Sequence, residues 1–292
     1  MTGTALAEFV ARHPKLFVLT GAGCSTASGI PDYRDVDGAW KRARPVMLQD
    51  FLAHERTRKR YWARSLVGWK RVRDATPNDA HLSLARLERE GRIGQLVTQN
   101  VDGLHQAAGS RNVIDLHGRI DLVRCLGCGR RTPREALQRE LMRRNPAFAS
   151  LEAVEAPDGD ADLDGFEFDA FDVPACEACG GLIKPDVVFF GESVPRERVT
   201  CAMAALDAAD AMLVVGSSLM VYSGYRFAKE MARAGKPLAA VNLGRTRADD
   251  LLELKVMDHC ANALAFALSK HSPAGRTTPP TPTRHTATVS GV

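Results

Sequence analysis

Apolar residues in this chain fall into short runs that stop at small or hydrogen-bonding residues. The run Leu16-Phe17-Val18-Leu19 is too short for a helix, rich in strand formers, and closed by Gly21-Ala22-Gly23. Comparable runs recur at 93–98, 113–116, 187–190, 211–215 and 238–242. A helix is expected over about residues 4–11, and amphipathic stretches at 81–90, 196–208 and 222–234 separate several of the runs. Strands alternating with helices predict an α/β fold: a doubly wound, Rossmann-like parallel sheet covered on both faces, with ligands outside the carboxyl ends of its strands.

The alternation breaks between about 120 and 182, where two cysteine knuckles, a Pro-initiated helix (132–143) and an acidic loop appear. We read 120–182 as a smaller zinc-binding module inserted into a sheet domain formed by 1–31, 79–119 and 183–271. Residues 32–78 carry helical segments and are expected to join the smaller lobe. From 272 to 292 the chain is mostly Pro, Thr, Ser and Gly, too poor in apolar residues to offset its ordering entropy, and a disordered tail is expected.

Composition narrows the function. With 292 residues, 45% hydrophobic and 25% charged, the chain can bury a full core. The net charge of +4 is spread along the sequence rather than gathered into the basic stripe of a nucleic-acid binder, so no obligate nucleic-acid partner is expected. No apolar run reaches the roughly 18–20 residues that span a bilayer, and no membrane association is expected. Residues 1–13 lack the features of a secretory signal, and Glu8 argues against a transit peptide, so a cytoplasmic location is expected. The oligomeric state is left open.

Of seven cysteines, four form the pairs Cys125-x-x-Cys128 and Cys176-x-x-Cys179, each followed by glycine. This is the spacing of two zinc knuckles that together supply four thiolates; redox pairs are the weaker alternative. A closed four-sulfur site has no open position, so one structural Zn2+ is expected, outside the chemistry. The Gly21-Ala22-Gly23 turn could cradle a pyrophosphate, although a plain tight turn would look the same and the third glycine of the dinucleotide fingerprint is replaced by Thr26. Gly216-Ser217-Ser218 and Asn242-Leu243-Gly244 end two later apolar runs with small or hydrogen-bonding residues. A histidine is more often structural than catalytic, yet His117 falls at a strand end beside Gly118, with an ordinary pKa suited to proton abstraction at neutral pH.

Taken together, the stretch from Gly21 to Arg34, Gln99-Asn100-Val101-Asp102, His117-Gly118, the four cysteines, Val188-Phe189-Phe190-Gly191-Glu192, Gly216-Ser217-Ser218 and Asn242-Leu243-Gly244 resemble, in order, the motifs of the sirtuin family. The resemblance covers about residues 15–268. Tyr33, the segment 184–192 and the segment 221–227 resemble the class II branch, and a bacterial member is implied.

That resemblance implies an NAD-dependent protein lysine deacylase. It implies that Gly21, Ala22, Gly23, Thr26, Gly216, Ser217 and Ser218 hold the diphosphate and nearby ribose of NAD, and that Asn242, Leu243, Gly244 and Cys260 line the adenosine end. Gln99, Asn100, Val101 and Asp102 would hold the nicotinamide side, with Asn100 and Asp102 on the carboxamide, while Asp32, Tyr33 and Arg34 belong to a cofactor loop. The acyl-lysine oxygen would attack the ribose carbon, His117 would accept a ribose hydroxyl proton, and the products would be free lysine, nicotinamide and O-acyl-ADP-ribose. Acylated-lysine proteins are the implied partners, their backbone adding as a strand beside Val188, Phe190, Gly191 and Glu192. A mono-ADP-ribosyltransferase is the main alternative, and a zinc-ribbon docking module or a dehydrogenase fits fewer motifs.

Further residues bear on the site and its surroundings. Cys24 occupies a position usually aliphatic in the family and is expected to pack as a small buried hydrophobe, with redox sensitivity as an alternative. Arg42 and Arg44 follow the cofactor loop and are expected to help admit acyl chains longer than acetyl, carboxylated ones included. A Tyr and Arg pair of the kind that recognises an acyl carboxylate in the desuccinylating branch is not read from the chain, so strong succinyl preference is not expected. The acidic segment 158–165 begins like a calcium loop, but Phe171 stands where the loop needs glutamate.

Overall fold

The structure, a computed structural model, describes residues 2–41, 45–151, 154–156, 160–163 and 165–269. The expected tail and the side chains of Arg42 and Arg44 lie outside the described residues. In chain order the first half comprises α1 (Thr2–Arg12), β1 (Leu16–Thr20), α2 (Leu48–Ala53), α3 (Glu55–Asp74), α4 (Asp79–Arg89), β2 (Ile93–Thr98), α5 (Leu104–Ala107), β3 (Val113–Asp115), β4 (Gly118–Cys125) and β5 (Arg131–Pro133). There follow α6 (Arg134–Arg144), α7 (Pro146–Ala149), β6 (Val154–Ala156), β7 (Asp160–Asp162), β8 (Ile183–Val187), α8 (Arg196–Asp207), β9 (Ala211–Val215), α9 (Tyr222–Arg233), β10 (Leu238–Val241), β11 (Leu254–Val256) and α10 (Cys260–Ala263).

Strand β1 is buried at all five positions because it lies mid-sheet with helices on both faces. Its alternating side chains feed two cores: Leu16 and Val18 pack with α1, α4 and α10, whereas Phe17 and Leu19 pack with α8 and α9. The main sheet has six strands in the order β11-β10-β9-β1-β2-β3, all paired in parallel. This is the doubly wound sheet expected from the hydrophobic pattern. It aligns the carboxyl ends of β1, β2, β9 and β10 along one edge.

Residues 187–190 do not form a strand of that sheet. Strand β8 ends at Val187 and runs antiparallel to β4 in a separate three-stranded sheet, β5-β4-β8. The apolar run beyond it packs as aromatic anchors instead: Phe189 meets Phe51 and Tyr61, with ring centroids 5.3 and 5.2 Å apart, and Phe190 meets Trp40 at 5.5 Å.

The smaller lobe has its own core, in which Trp62, Ala63 and Leu66 of α3 pack with Val123, Leu137, Leu141, Leu163, Phe168 and Phe171. Arg134 is fully buried beside it, its guanidinium 5.4 Å from the Trp62 ring and 5.1 Å from the Trp69 ring, with Nη2 donating to Ser65 O and Oγ. Burial pulls its pKa down to about 10, which leaves it cationic at neutral pH. No helix among the described residues is long and apolar enough to cross a membrane.

Trp62→Ala should cost about 3–5 kcal/mol, because it opens a cavity in this core and strips one aromatic face from the buried cation. Denaturant titration checks this; a loss under about 1 kcal/mol would mean that α3 is not integral to the lobe.

Candidate functional site

The turns that follow β1 and β9 are laced together. Gly21 N donates to Val215 O at 3.0 Å and Gly23 N to Gly216 O at 2.9 Å. A Cβ on Gly216, whose φ is +63°, would lie 2.3 Å from Cys24 N, and one on Gly21 would lie 2.7 Å from Ser217 Cβ. Only glycines allow this approach.

Gln99, just past β2, ties three strand ends. Its backbone N donates to Thr20 O at 3.0 Å, and its Nε2 donates to Ser217 Oγ at 2.7 Å and to Thr20 O at 3.2 Å. Ser217 Oγ also accepts from Leu219 N at 3.2 Å, next to the one described non-glycine residue with a positive φ, Leu219 at 57°. The Gln99 carbonyl lies 2.9 Å from His117 Nδ1. A carbonyl only accepts, so Nδ1 carries the imidazole proton and the Nε2 lone pair faces Ser223 Oγ, 2.8 Å away. Burial lowers the His117 pKa to about 4, against the Gln99 carbonyl, which favours the cation; Arg198 and Arg226 lower it further. At neutral pH His117 is therefore an unprotonated base.

Behind it, Asn100 Nδ2 donates to Gly21 O at 3.1 Å and to Ser25 Oγ at 3.0 Å, and Ser25 Oγ donates to Asp102 Oδ2 at 2.7 Å. Asp102 Oδ1 accepts from Leu104 N at 2.9 Å, at the start of α5.

A cleft of about 1220 Å³ runs along this edge of the sheet. It is lined by Gly21, Ala22, Gly23, Thr26, Asp32, Tyr33, Arg34, Gln99, Asn100, Val101, His117, Val188, Phe190, Gly191, Glu192, Gly216, Ser217, Ser218, Asn242, Leu243, Gly244 and Cys260. Asp102 stands apart, reaching the cleft only through Ser25 and Asn100. Tyr33 is edge-on to Trp40 and Phe190 at 6.0 and 6.3 Å, and Arg34 stacks 4.0 Å over Trp40 while donating to Gly38 O. Glu192 is engaged internally: its Oε2 accepts from Phe189 N at 2.9 Å and from the buried Lys184 Nζ at 3.1 Å, which shapes the 188–192 loop. Glycines at the turns, hydroxyls at Thr26 and Ser218, the amide of Asn242 and the length of the cleft suit a dinucleotide.

Sequence reasoning missed several lining residues. Ser223 lies in the segment 221–227 but was given no role of its own, since its contact with His117 depends on α9 starting opposite that residue. Tyr61 and Arg64 overturn the reading that the chain has no such Tyr and Arg pair: they sit three residues apart on α3 and both line the cleft. Their spacing on one helix face was the available signal. Arg64 Nε and Nη2 donate to Asp160 Oδ1 and Oδ2 at 2.8 and 2.9 Å, a bidentate pair that neutralises it.

The four knuckle cysteines converge, with all four Sγ atoms within 4.8 Å of one another and none in a disulfide. Cys125 and Cys179 Sγ are 3.4 Å apart, and those of Cys128 and Cys176 3.8 Å. Tetrahedral Zn2+ with metal–sulfur bonds of about 2.3 Å needs sulfur separations of roughly 3.8 Å, so the set fits a structural zinc.

The Sir2 family model matches residues 21–223. The NAD-dependent protein deacetylase 2 of Bradyrhizobium diazoefficiens is 64% identical over 268 residues, which cover 92% of this chain and 98% of the relative. The NAD-dependent protein deacetylase of Xanthomonas campestris pv. campestris is 67% identical over 265 residues, 91% of this chain and 90% of the relative. Among solved structures, Sir2 with a p53 peptide and NAD+ is similar with a TM-score of 0.73 and 32% identity, over 92% of this chain and 98% of that one. Sir2 bound to acetylated peptide gives 0.71 and 30%, with the same coverages.

Two outcomes are expected. Elemental analysis should find zinc on the four thiolates, and Cys125→Ala should lose it and lower the melting temperature of the smaller lobe; full stability without metal would contradict this. Stability should also fall with acid through the buried, neutral His105, whose pKa burial lowers to about 3. Its contribution is complete above the unfolded value near 6.5 and is lost as pH falls through the folded value, on the order of 5 kcal/mol in all. Melting curves across that range check it, and His105→Asn should flatten the slope.

Proposed function

This chain belongs to the Sir2 family, and from that membership we propose that it is an NAD-dependent protein lysine deacylase releasing free lysine, nicotinamide and O-acyl-ADP-ribose. The observation that carries the reading is the neutral imidazole of His117, held between the Gln99 carbonyl and Ser223 in a cleft that the glycine turns also line.

NAD, when bound, supplies the ribose carbon that takes the acyl oxygen as nicotinamide departs. Gly21, Ala22, Gly23, Thr26 and the 216–218 turn would hold its diphosphate and ribose, and Asn242, Leu243, Gly244 and Cys260 its adenosine end. Asn100 would orient the carboxamide, with Asp102 fixing Asn100 through Ser25. His117 Nε2 then accepts a ribose hydroxyl proton, while Nδ1, locked on Gln99 O, keeps the accepting lone pair aimed at the cleft. Ser223 Oγ occupies that lone pair beforehand and gives way to the incoming hydroxyl. Tyr33, braced by Trp40 and Phe190, would screen the sugar carbon from water. An extended acyl peptide would lie along 188–192, whose shape the Lys184–Glu192 pair maintains. The rival transfer of ADP-ribose to protein requires no deprotonation of a ribose hydroxyl, the step for which His117 is placed. Cysteines that are all unpaired support a reducing, cytoplasmic setting.

The acyl preference is drawn from Arg64. Because Asp160 already satisfies it in bidentate fashion, neutral acyl chains should outcompete carboxylated ones.

His117→Ala should fold and bind NAD yet lose about 10²- to 10⁴-fold in deacylation; wild-type turnover would remove His117 from the mechanism. Asp160→Asn should raise the glutaryl-to-acetyl rate ratio about tenfold by releasing Arg64, measured by mass spectrometry on one peptide. An unchanged ratio would separate Arg64 from the acyl group.

A further inference from the structure

We infer that Cys24, His81 and His105 form a second metal site, a buried Cys-His-His set for Zn2+ or a similar borderline cation, whose occupation inhibits the enzyme. Cys24 Sγ and one ring nitrogen of each histidine lie within 4.8 Å of one another, and all three residues are buried. They come from the turn after β1, the first turn of α4 and α5, far in sequence from the four knuckle cysteines and on different elements.

His105 is the decisive member. With Thr20 Oγ1 donating to Thr98 Oγ1, it accepts at 2.8 Å from His105 Nε2, which in this arrangement carries the proton. The Nδ1 lone pair is therefore bare, and among the described residues it is buried with no hydrogen-bond partner. A native interior seldom leaves such an atom unmatched without a use for it. His81 is held loosely, with Nδ1 3.3 Å from Asn78 N and Nε2 3.4 Å from Ser25 Oγ, contacts that a metal bond would readily replace. Burial lowers both imidazole pKa values, so both rings are neutral, the form that ligates.

Bonds of about 2.0 Å to nitrogen and 2.3 Å to sulfur would draw the three donors together by roughly 1 Å. The Cys24 thiol, raised well above its ordinary pKa by burial and by nearby Cys260 and Asp102, would lose its proton to solvent only as the metal–sulfur bond forms. Each imidazole stays neutral: His105 binds through Nδ1, whereas His81, whose Nδ1 accepts from Asn78 N, changes tautomer, moving its proton from Nε2 to Nδ1 so that Nε2 binds the metal in place of Ser25 Oγ. One thiolate and a divalent ion leave a charge of +1, which Asp102, hydrogen-bonded to the adjoining Ser25, is placed to offset.

Ser25 couples this site to the cleft. The same hydroxyl accepts from Asn100 and donates to Asp102, so a metal that displaces Ser25 disturbs Asn100, which lines the cleft.

The test starts from protein with zinc on its four thiolates, equilibrated against buffered Zn2+. Elemental analysis should give two zinc ions per chain in wild type and one in Cys24→Ala and Cys24→Ser. Co2+ added to the zinc-loaded protein should give a new thiolate-to-cobalt absorption in wild type alone. Zn2+ should suppress nicotinamide release in wild type at a concentration about tenfold or more below that needed for Cys24→Ala. One zinc per chain in wild type, or a second ion bound equally by both Cys24 variants, overturns the site. The metal count does not depend on the deacylase reading, so failure of one is distinguishable from failure of the other.

Discussion

The structure turns on one residue, Gln99, whose backbone and side chain together join the ends of three strands and orient the imidazole of His117. Its backbone N–H and side-chain amide hold Thr20 at the end of β1 and Ser217 just past β9, and its carbonyl orients His117. Space for it is kept by Gly224, where a Cβ would lie 2.5 Å from Gln99 Oε1. Without these bonds the turns after β1 and β9 would lose their common brace, and the imidazole would be free to change tautomer. Register of the parallel sheet is thereby converted into the fixed orientation of the His117 imidazole where β1, β2 and β9 end.

Burial and charge work in the same direction around that brace. Removal from water keeps His117 neutral, and the cations of Arg198 and Arg226 reinforce this. The lone carbonyl at Nδ1 decides which nitrogen can act. The smaller lobe contributes what the sheet lacks: aromatic rings that wall the cleft, and an arginine whose charge is already matched by Asp160. A four-thiolate metal site in this lobe adds a cross-link to its small apolar cores.

The fold class and the family were legible because they rest on local signals: runs with the strand period, helices with the 3.6-residue period, and motifs whose residues are contiguous. The two C-x-x-C pairs were legible for the same reason. What escaped depends on contacts between distant segments. The aromatic run at 187–190 has the composition of a strand, yet its rings are drawn into packing with Phe51, Tyr61 and Trp40. Ser223 lies 106 residues from the histidine it touches, and Arg64 lies 96 from the aspartate that neutralises it. The Cys24, His81 and His105 cluster likewise joins three segments, none of which carries a metal spacing of its own. The ion pair of Glu192 with Lys184, eight residues apart across the end of β8, was likewise not legible.

Coupling of acyl removal from lysine to consumption of NAD, with the acyl group ending on the ribose, leaves a distinctive set of products. Its most direct test is a product balance by mass spectrometry on one acetyl-lysine peptide with NAD. Nicotinamide, free-lysine peptide and O-acetyl-ADP-ribose are expected in equal amounts. Nicotinamide release accompanied by ADP-ribose attached to protein, with no O-acetyl-ADP-ribose formed, would contradict it.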